Sequence, residues 1–533
     1  MTRFFNKRSF LQPTIYSLLL IAGIVVGFFL KPPTKSRIYQ ILDIVQNDYV
    51  DQPYPQELEE DAIKGMLSQL DPHTTFVPAA LVEYTERKVK GNYQGIGVEY
   101  IIYQDTAVIT KTYLKGPAFM AGLNEGDRII EADGHSLTGE NAKNEKIIEA
   151  ISGEAGSIAK IKIYRKRNNK IIESQIRRGS VPLRSVDAFY LIDKYTGIIK
   201  IKSFSATTHT EFKDALIKLQ KAGMKNLVID LRNNGGGLLR EAIKIANELL
   251  EKGDLITFTQ GRKRRKEAYK ASGNGIFKTG RILVITNRST ASASEILTGA
   301  LQDNDRAFII GARTFGKGLV QEPYRLPDGS SLRLTVARYY TPSGRSIQKP
   351  YTKDVEAYRQ EIYRRKDITD IDSTEQIYYS TKLNRTLRAG GGISPDLVIT
   401  DTLNESDKFE FHLGGIFTSG ILDVFVLDHM RQEIYKVNGK YHSALSFAHN
   451  YKINSTIFNN ISKYINANPK YKNLKINAFG ENLIRKYIKA YIARICFGEE
   501  GYQQVINQEE GLNIRIQLAL MAYDKEFQKL QKK

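Results

Sequence analysis

Three short segments carry residue types that break acyl bonds when they are brought together. Asn287-Arg-Ser-Thr-Ala-Ser-Ala-Ser-Glu-Ile296 follows a strongly apolar strand and opens a helix. Ser292, at that strand-to-helix turn, stands beside unbonded N–H groups and the positive end of the helix dipole, which together stabilise an oxyanion. Ser292-x-x-Glu295 also spells a capping box, which asks no reactivity of the serine. Thr314-Phe-Gly-Lys-Gly-Leu-Val-Gln321 sets Lys317 between two glycines. A lysine is a base only when neutral, so an amine of pKa about 10.4 has to fall about three units, or roughly 4 kcal/mol, within the reach of burial. Gln321 can hold that amine without adding a negative charge, and an ordinary solvated turn lysine remains the alternative. Asp230-Leu-Arg-Asn-Asn-Gly-Gly-Gly237 ends a strand in glycines, so N–H groups of Gly235 or Gly236, with that of Ala293, can face a developing anion.

Other chemistries fit less well. Gly311-Ala-Arg-Thr-Phe-Gly-Lys-Gly318 nearly spells a phosphate loop, but Gly318 replaces the hydroxyl that would ligate magnesium. The histidines, at 73, 135, 209, 412, 429, 442 and 449, form no HExxH, none flanks the three segments, and His73 reads as part of a structured turn. Cys496 is the single cysteine, which excludes an intramolecular disulfide and a cysteine metal cluster and reads as a core thiol. No metal or other cofactor is expected.

The hydrophobic pattern outlines the elements that must hold these residues. A chain of 533 residues divides into several domains. Arg3, Lys7 and Arg8 precede an uncharged run, Leu11 to Leu30, without a clear A-x-A site; residues 1–30 read as an uncleaved signal anchor that leaves the remainder extracytoplasmic. Residues 31–90 carry amphipathic helical spacing, and 91–180 carry short β-rich runs around one helix, Ala142 to Ile151. From 181 to 400 strands alternate with helices, a βαβ rhythm, with Thr352 to Arg388 as a polar surface excursion. Residues 401–533 read as a mostly helical interaction region of unknown role. The net charge of +20 reads as dispersed rather than gathered in a tract; without a zinc finger or RNP motif, nucleic acid is not an expected partner. Binding of anionic lipid or cell-wall polymer by the basic tail is compatible with catalysis elsewhere.

Taken together and in this order, the three segments resemble the carboxyl-terminal processing, or tail-specific, proteases of peptidase family S41, which use a serine-lysine dyad. The resemblance implies Ser292 as nucleophile, Thr290 replacing the first serine of the family's S-A-S-A-S-E run, and Lys317, 25 residues on, as base. It further implies Gln321 as the residue orienting the lysine, and Ala293 with Gly235 or Gly236 as the oxyanion hole. The implied fold is multidomain α/β: a crotonase- or ClpP-like α/β protease core, a β-rich PDZ domain at 91–180, and helical N- and C-terminal regions. Gly95-Ile96-Gly97-Val98 matches the family's carboxylate-binding loop, and Gly116 to Ile130 its GPA-x-x-AGL-x-x-GD-x-I signature. The implied partners are proteins or peptides with apolar free C-termini, the inner membrane through the anchor, and an adaptor or second copy at the tail. The implied place is the bacterial cell envelope, with the catalytic part periplasmic. A non-catalytic membrane-tethered PDZ scaffold or envelope-binding protein is the competing reading. The resemblance covers residues 36 to 400.

Overall fold

The computed structural model describes residues 8–29, 36–351, 354–364, 376–399, 415–472 and 474–531. Two compact units divide at Asp71 and Pro72, inside the region expected to run from 31 to 90. The first unit holds helices Arg8–Phe29, Arg37–Asp48 and Pro55–Leu67. On the first helix the side chains from Ile15 to Val25 are exposed. Among the described residues no helix is long and apolar enough to cross a membrane.

In the second unit the β-rich domain is an antiparallel sheet ordered Val98–Tyr103, Thr106–Thr112, Asp127–Ala132, Ile158–Arg165, Lys170–Arg177. Ala107, Ile109, Ile129, Ile161 and Ile163 meet Ile147 and Ile151, four apart on helix Asn144–Ile151, so alternation on strands and spacing on the helix fill one core. Val98–Tyr103 lies at the sheet edge. A two-stranded ribbon, Asn92–Gly95 against Gly179–Pro182, leads the chain into and out of this domain.

The catalytic core is a second sheet, in which Thr196–Ile201, Asn226–Asp230, Arg281–Thr286, Phe308–Gly311 and Leu397–Val398 run parallel and Val186–Leu191 closes one edge antiparallel. Parallel strands are buried on both faces, which explains their continuous apolar runs. One face, with Ile199, Ile229 and Val284, packs on helices Thr208–Lys221, Leu239–Leu249 and Ala293–Asp303. The other, with Ile198, Val228, Leu283 and Ile310, is covered by Leu512, Ile516, Leu520 and Phe527 of the final helix, Leu512–Gln531. Each such side chain contributes about 1.5–3 kcal/mol by leaving water.

A third sheet is built on the long strand Ser331–Tyr340, with Leu319–Arg325 on one side and Thr75–Val77 and Leu255–Gln260 on the other. Leu255–Gln260 continues through a hairpin into Glu267–Lys270. The tip between them holds Arg262, Lys263, Arg264, Arg265 and Lys266, so the positive charge is not everywhere dispersed, as the sequence reading had it, but gathered here into one exposed tract. Of the excursion, helix Val355–Arg364 and the strand pair Ile377–Tyr379 and Thr386–Arg388 are described.

Beyond residue 414 the chain is helical, as expected, and the helices bridge two domains. Ile416, Ile421 and Leu422 share a core with Tyr103 and Val108 of the β-rich domain, and Asp428 pairs with Arg128 at 2.7 Å and Lys166 at 2.8 Å. At the other end Glu510 and Asn507 take Arg232 at 2.8 and 2.7 Å.

Candidate active site

Ser292 caps helix Ala293–Asp303 with φ 57 and ψ −118, a left-handed backbone that costs a non-glycine residue about 1–3 kcal/mol. Strain of this kind belongs to sharp strand-to-helix turns that expose a nucleophile. The turn is tied from below: the Thr290 hydroxyl donates to the Leu231 carbonyl at 2.9 Å, so threonine in place of serine keeps a structural bond.

Glu295 binds the elbow to the lysine segment. One carboxylate oxygen accepts the N–H of Ser292 at 2.8 Å and of Lys317 at 2.9 Å; the other accepts the N–H of Gly316 at 2.8 Å and the Thr314 hydroxyl. Burial pushes this carboxyl up to about 7, against four donors that favour its charged form. The buried Tyr339 hydroxyl makes a second link, hydrogen-bonded to the Lys317 carbonyl and 3.1 Å from that of Ser292. The capping-box reading is therefore realised in the Ser292–Glu295 bond, but its carboxylate reaches well beyond a cap.

Lys317 Nζ donates to Gln321 Oε1 at 2.8 Å. Gln321 in turn donates from Nε2 to the His73 carbonyl, which fixes its amide with the oxygen toward the amine. The His73 ring is 2.9 Å from the Tyr358 hydroxyl of the excursion helix. His73, expected only to shape a turn, thus supports the lysine's partner from a distant part of the chain.

The glycine loop is pressed against the elbow. A Cβ on Gly236 would lie 2.7 Å from that of Ser292, so only glycine allows this approach. Its N–H, however, donates to Asn234 Oδ1 at 2.9 Å, which removes Gly236 as the oxyanion donor. Among the described residues no acceptor takes the N–H of Gly235 or Ala293. The loop is anchored by Asp230, buried yet held well below the usual carboxylate range by Arg232 at 2.7 Å and Lys200 at 3.0 Å.

The four residues expected to bind a carboxylate sit in the β-rich domain, and their N–H groups are largely engaged. Gly95 is paired in the ribbon with Gly179. The Ile96 N–H donates to the Ile151 carbonyl at 2.9 Å, and that of Val98 to the Tyr93 hydroxyl at 3.2 Å. The Tyr93 hydroxyl in turn donates to the Val98 carbonyl at 3.3 Å. Among the described residues only the Gly97 N–H of these four lacks an acceptor.

Comparison with known proteins agrees with this assembly. A profile of peptidase family S41 matches residues 195–357, and one of a "Family of unknown function (DUF8443)" matches 413–498. A "Carboxy-terminal-processing protease" of Bartonella bacilliformis is 35% identical over 318 residues, 59% of this chain and 72% of that protein. A "Probable CtpA-like serine protease" of Staphylococcus haemolyticus is 31% identical over 385 residues, 71% of this chain and 75% of that protein. Among solved structures, a photosystem II D1 C-terminal processing protease is 27% identical, spans 68% of this chain and 86% of its own, and has a TM-score of 0.35. The chain belongs to peptidase family S41, the carboxy-terminal-processing proteases. It is a serine peptidase, which replaces the non-catalytic scaffold reading.

Proposed function

We propose that Ser292 is the nucleophile and Lys317 the general base of this peptidase. The observation that carries the assignment is the double clamp: Glu295 accepts the backbone N–H of both residues, the Tyr339 hydroxyl lies between their carbonyls and bonds that of Lys317, and Gln321 holds the lysine amine at 2.8 Å. In its neutral form Lys317 takes the Ser292 proton as the oxygen adds to the scissile carbonyl, and returns it to the leaving amine. The N–H groups of Gly235 and Ala293 receive the oxyanion, and water hydrolyses the resulting acyl-enzyme. Protein substrates with apolar free C-termini bind at residues 95–98, adding a strand to the edge Val98–Tyr103. This requires Tyr93 or Ile151 to release an N–H.

The envelope location is part of the same reading. The uncharged run Leu11 to Leu30 follows Arg3, Lys7 and Arg8, and the side chains from Ile15 to Val25 are exposed. That supports an inner-membrane anchor with the catalytic part periplasmic. Carbonate extraction of bacterial membranes tests it: the full chain stays in the pellet and a chain lacking residues 1–30 leaves it.

The chemistry is tested with the full chain in detergent, wild type and Ser292→Ala. The substrate is an unfolded reporter ending in an apolar free carboxylate or in the same tail amidated. Cleavage by wild type alone, faster for the free carboxylate, supports nucleophile and tail recognition together. Equal cleavage by both proteins discards Ser292.

A further inference from the structure

The tract Arg262–Lys266 places five cations in sequence at an exposed hairpin tip. Two have internal partners: Arg264 bonds Glu322 at 2.5 Å, and the Lys266 amine lies 4.0 Å over the Phe258 ring. Arg262, Lys263 and Arg265 have no carboxylate partner among the described residues. Adjacent like charges within the Debye length of about 10 Å add their potentials, so the tract attracts anionic groups.

Its place in the fold identifies the ligand. A Cβ on Gly261, at the base of the tip, would lie 2.2 Å from the Val336 carbonyl, so the tip is pressed onto strand Ser331–Tyr340. On the far side of that strand, Val320 pairs with Ala337 and Gln321 with Thr335. Two strand spacings, about 10 Å, therefore separate the base of the tip from the strand that holds Gln321, with Ser331–Tyr340 between them. Arg264 crosses that gap to Glu322, next to Gln321. A shallow cleft of about 320 Å³ continues from exposed Arg338, opposite Gln260, to Gln348, which accepts the Gly318 N–H at 2.8 Å beside Lys317.

We propose that this basic tip, with Arg338, docks acidic segments of the polypeptide being cleaved, and so selects substrates by charge near the scissile bond. The proposal rests on the proteolytic reading above. The acidic side chains nearest the tract are Glu267, which follows it, and Glu322, already neutralised by Arg264. A lipid headgroup offers the same anionic chemistry, but the place of the tip in the sheet of Gln321, with Arg264 reaching Glu322, favours a chain on its way to Ser292.

The test uses the full chain in detergent and three unfolded reporters with one common C-terminus, differing in a central acidic, neutral or basic stretch. Wild type is expected to show a KM about tenfold lower for the acidic than for the neutral reporter, an advantage lost in 0.5 M salt. The triple variant Arg262→Ser, Lys263→Ser, Arg265→Ser is expected to lose that advantage, with the change falling on KM. Equal KM values in wild type, or a preference surviving in the triple variant, overturn the proposal. Anisotropy with the acidic and neutral peptides on Ser292→Ala reads docking without turnover: a binding preference there upholds the tip even if no reporter is cut, whereas cleavage without a preference leaves the protease reading intact and removes the tip. Retention on phosphatidylglycerol vesicles that the triple variant loses, with both peptides bound alike, assigns the tract to lipid and overturns the proposal.

Discussion

Two loops in this molecule present backbone N–H groups, and they are prepared in opposite ways. At the elbow, Gly235 and Ala293 keep theirs unengaged among the described residues, while buried Asn234, Glu295 and Thr290 tie down everything around them. At residues 95–98, by contrast, Ile151 and Tyr93 already occupy the N–H groups of Ile96 and Val98, leaving that of Gly97. On the proposed reading, the elbow is organised before substrate arrives, and the loop at 95–98 has internal bonds to exchange. Each exchange trades one hydrogen bond for another, a net difference of about 1 kcal/mol, so recognition is adjustable where catalysis is not.

The sharpest way to break this contrast is to disarm the organised side. Lys317→Ala is expected to lower kcat at least about 10³-fold with the fold intact by circular dichroism, and a small loss would show that another group takes the proton. Glu295→Gln replaces one acceptor oxygen by an NH2 facing two N–H donors; a kcat loss of about 10²-fold with KM unchanged is expected from steady-state kinetics. The same residue marks stability. Its carboxyl is raised from the ordinary 4.5 to about 7, so its contribution is present below about 4.5 and lost as pH rises through about 7. Melting temperatures of wild type relative to Glu295→Gln should fall across that window, and parallel curves would mean that the carboxyl is not raised.

Gln321→Glu keeps the shape and adds a negative charge beside the amine. The acid limb of the kcat–pH profile is expected to move up by about one unit, and an unmoved limb would separate Gln321 from the base. The smallest effect tests the adjustable side: Tyr93→Phe releases the Val98 N–H and should tighten binding of an apolar free-carboxylate peptide roughly fivefold by anisotropy. Weaker binding would show that Tyr93 supports the loop rather than occupying it.

Ser292, Lys317 and Gln321 were legible because each sits in a short motif whose residue types and spacing demand little of the rest of the chain. Glu295 was visible only as a cap, since its other partners come from residues 314 to 317. His73 was discounted because its link to Gln321 is a backbone carbonyl, which no side-chain pattern reports. Gly235 and Gly236 are alike in type, and only the position of the Asn234 side chain tells their N–H groups apart. In the fold, alternating strands and helices announced the parallel sheet, but not that Thr75–Val77 would join the sheet of Gln321 or that residues 512–531 would cover the core. Those pairings are set by long-range packing, where local periodicity is silent.

The bridge made by the C-terminal helices limits how the β-rich domain can move. With the ribbon 92–95 and 179–182 as its only covalent tether, the domain would otherwise be free to swing like a door on that hinge. Asp428 latches it to helices whose far end is bolted to Arg232, the residue that steadies the glycine loop. Large rotations of the domain must break one latch or the other. Movement of the β-rich domain therefore strains a frame that ends at the glycine loop, which gives that loop a mechanical connection to the domain.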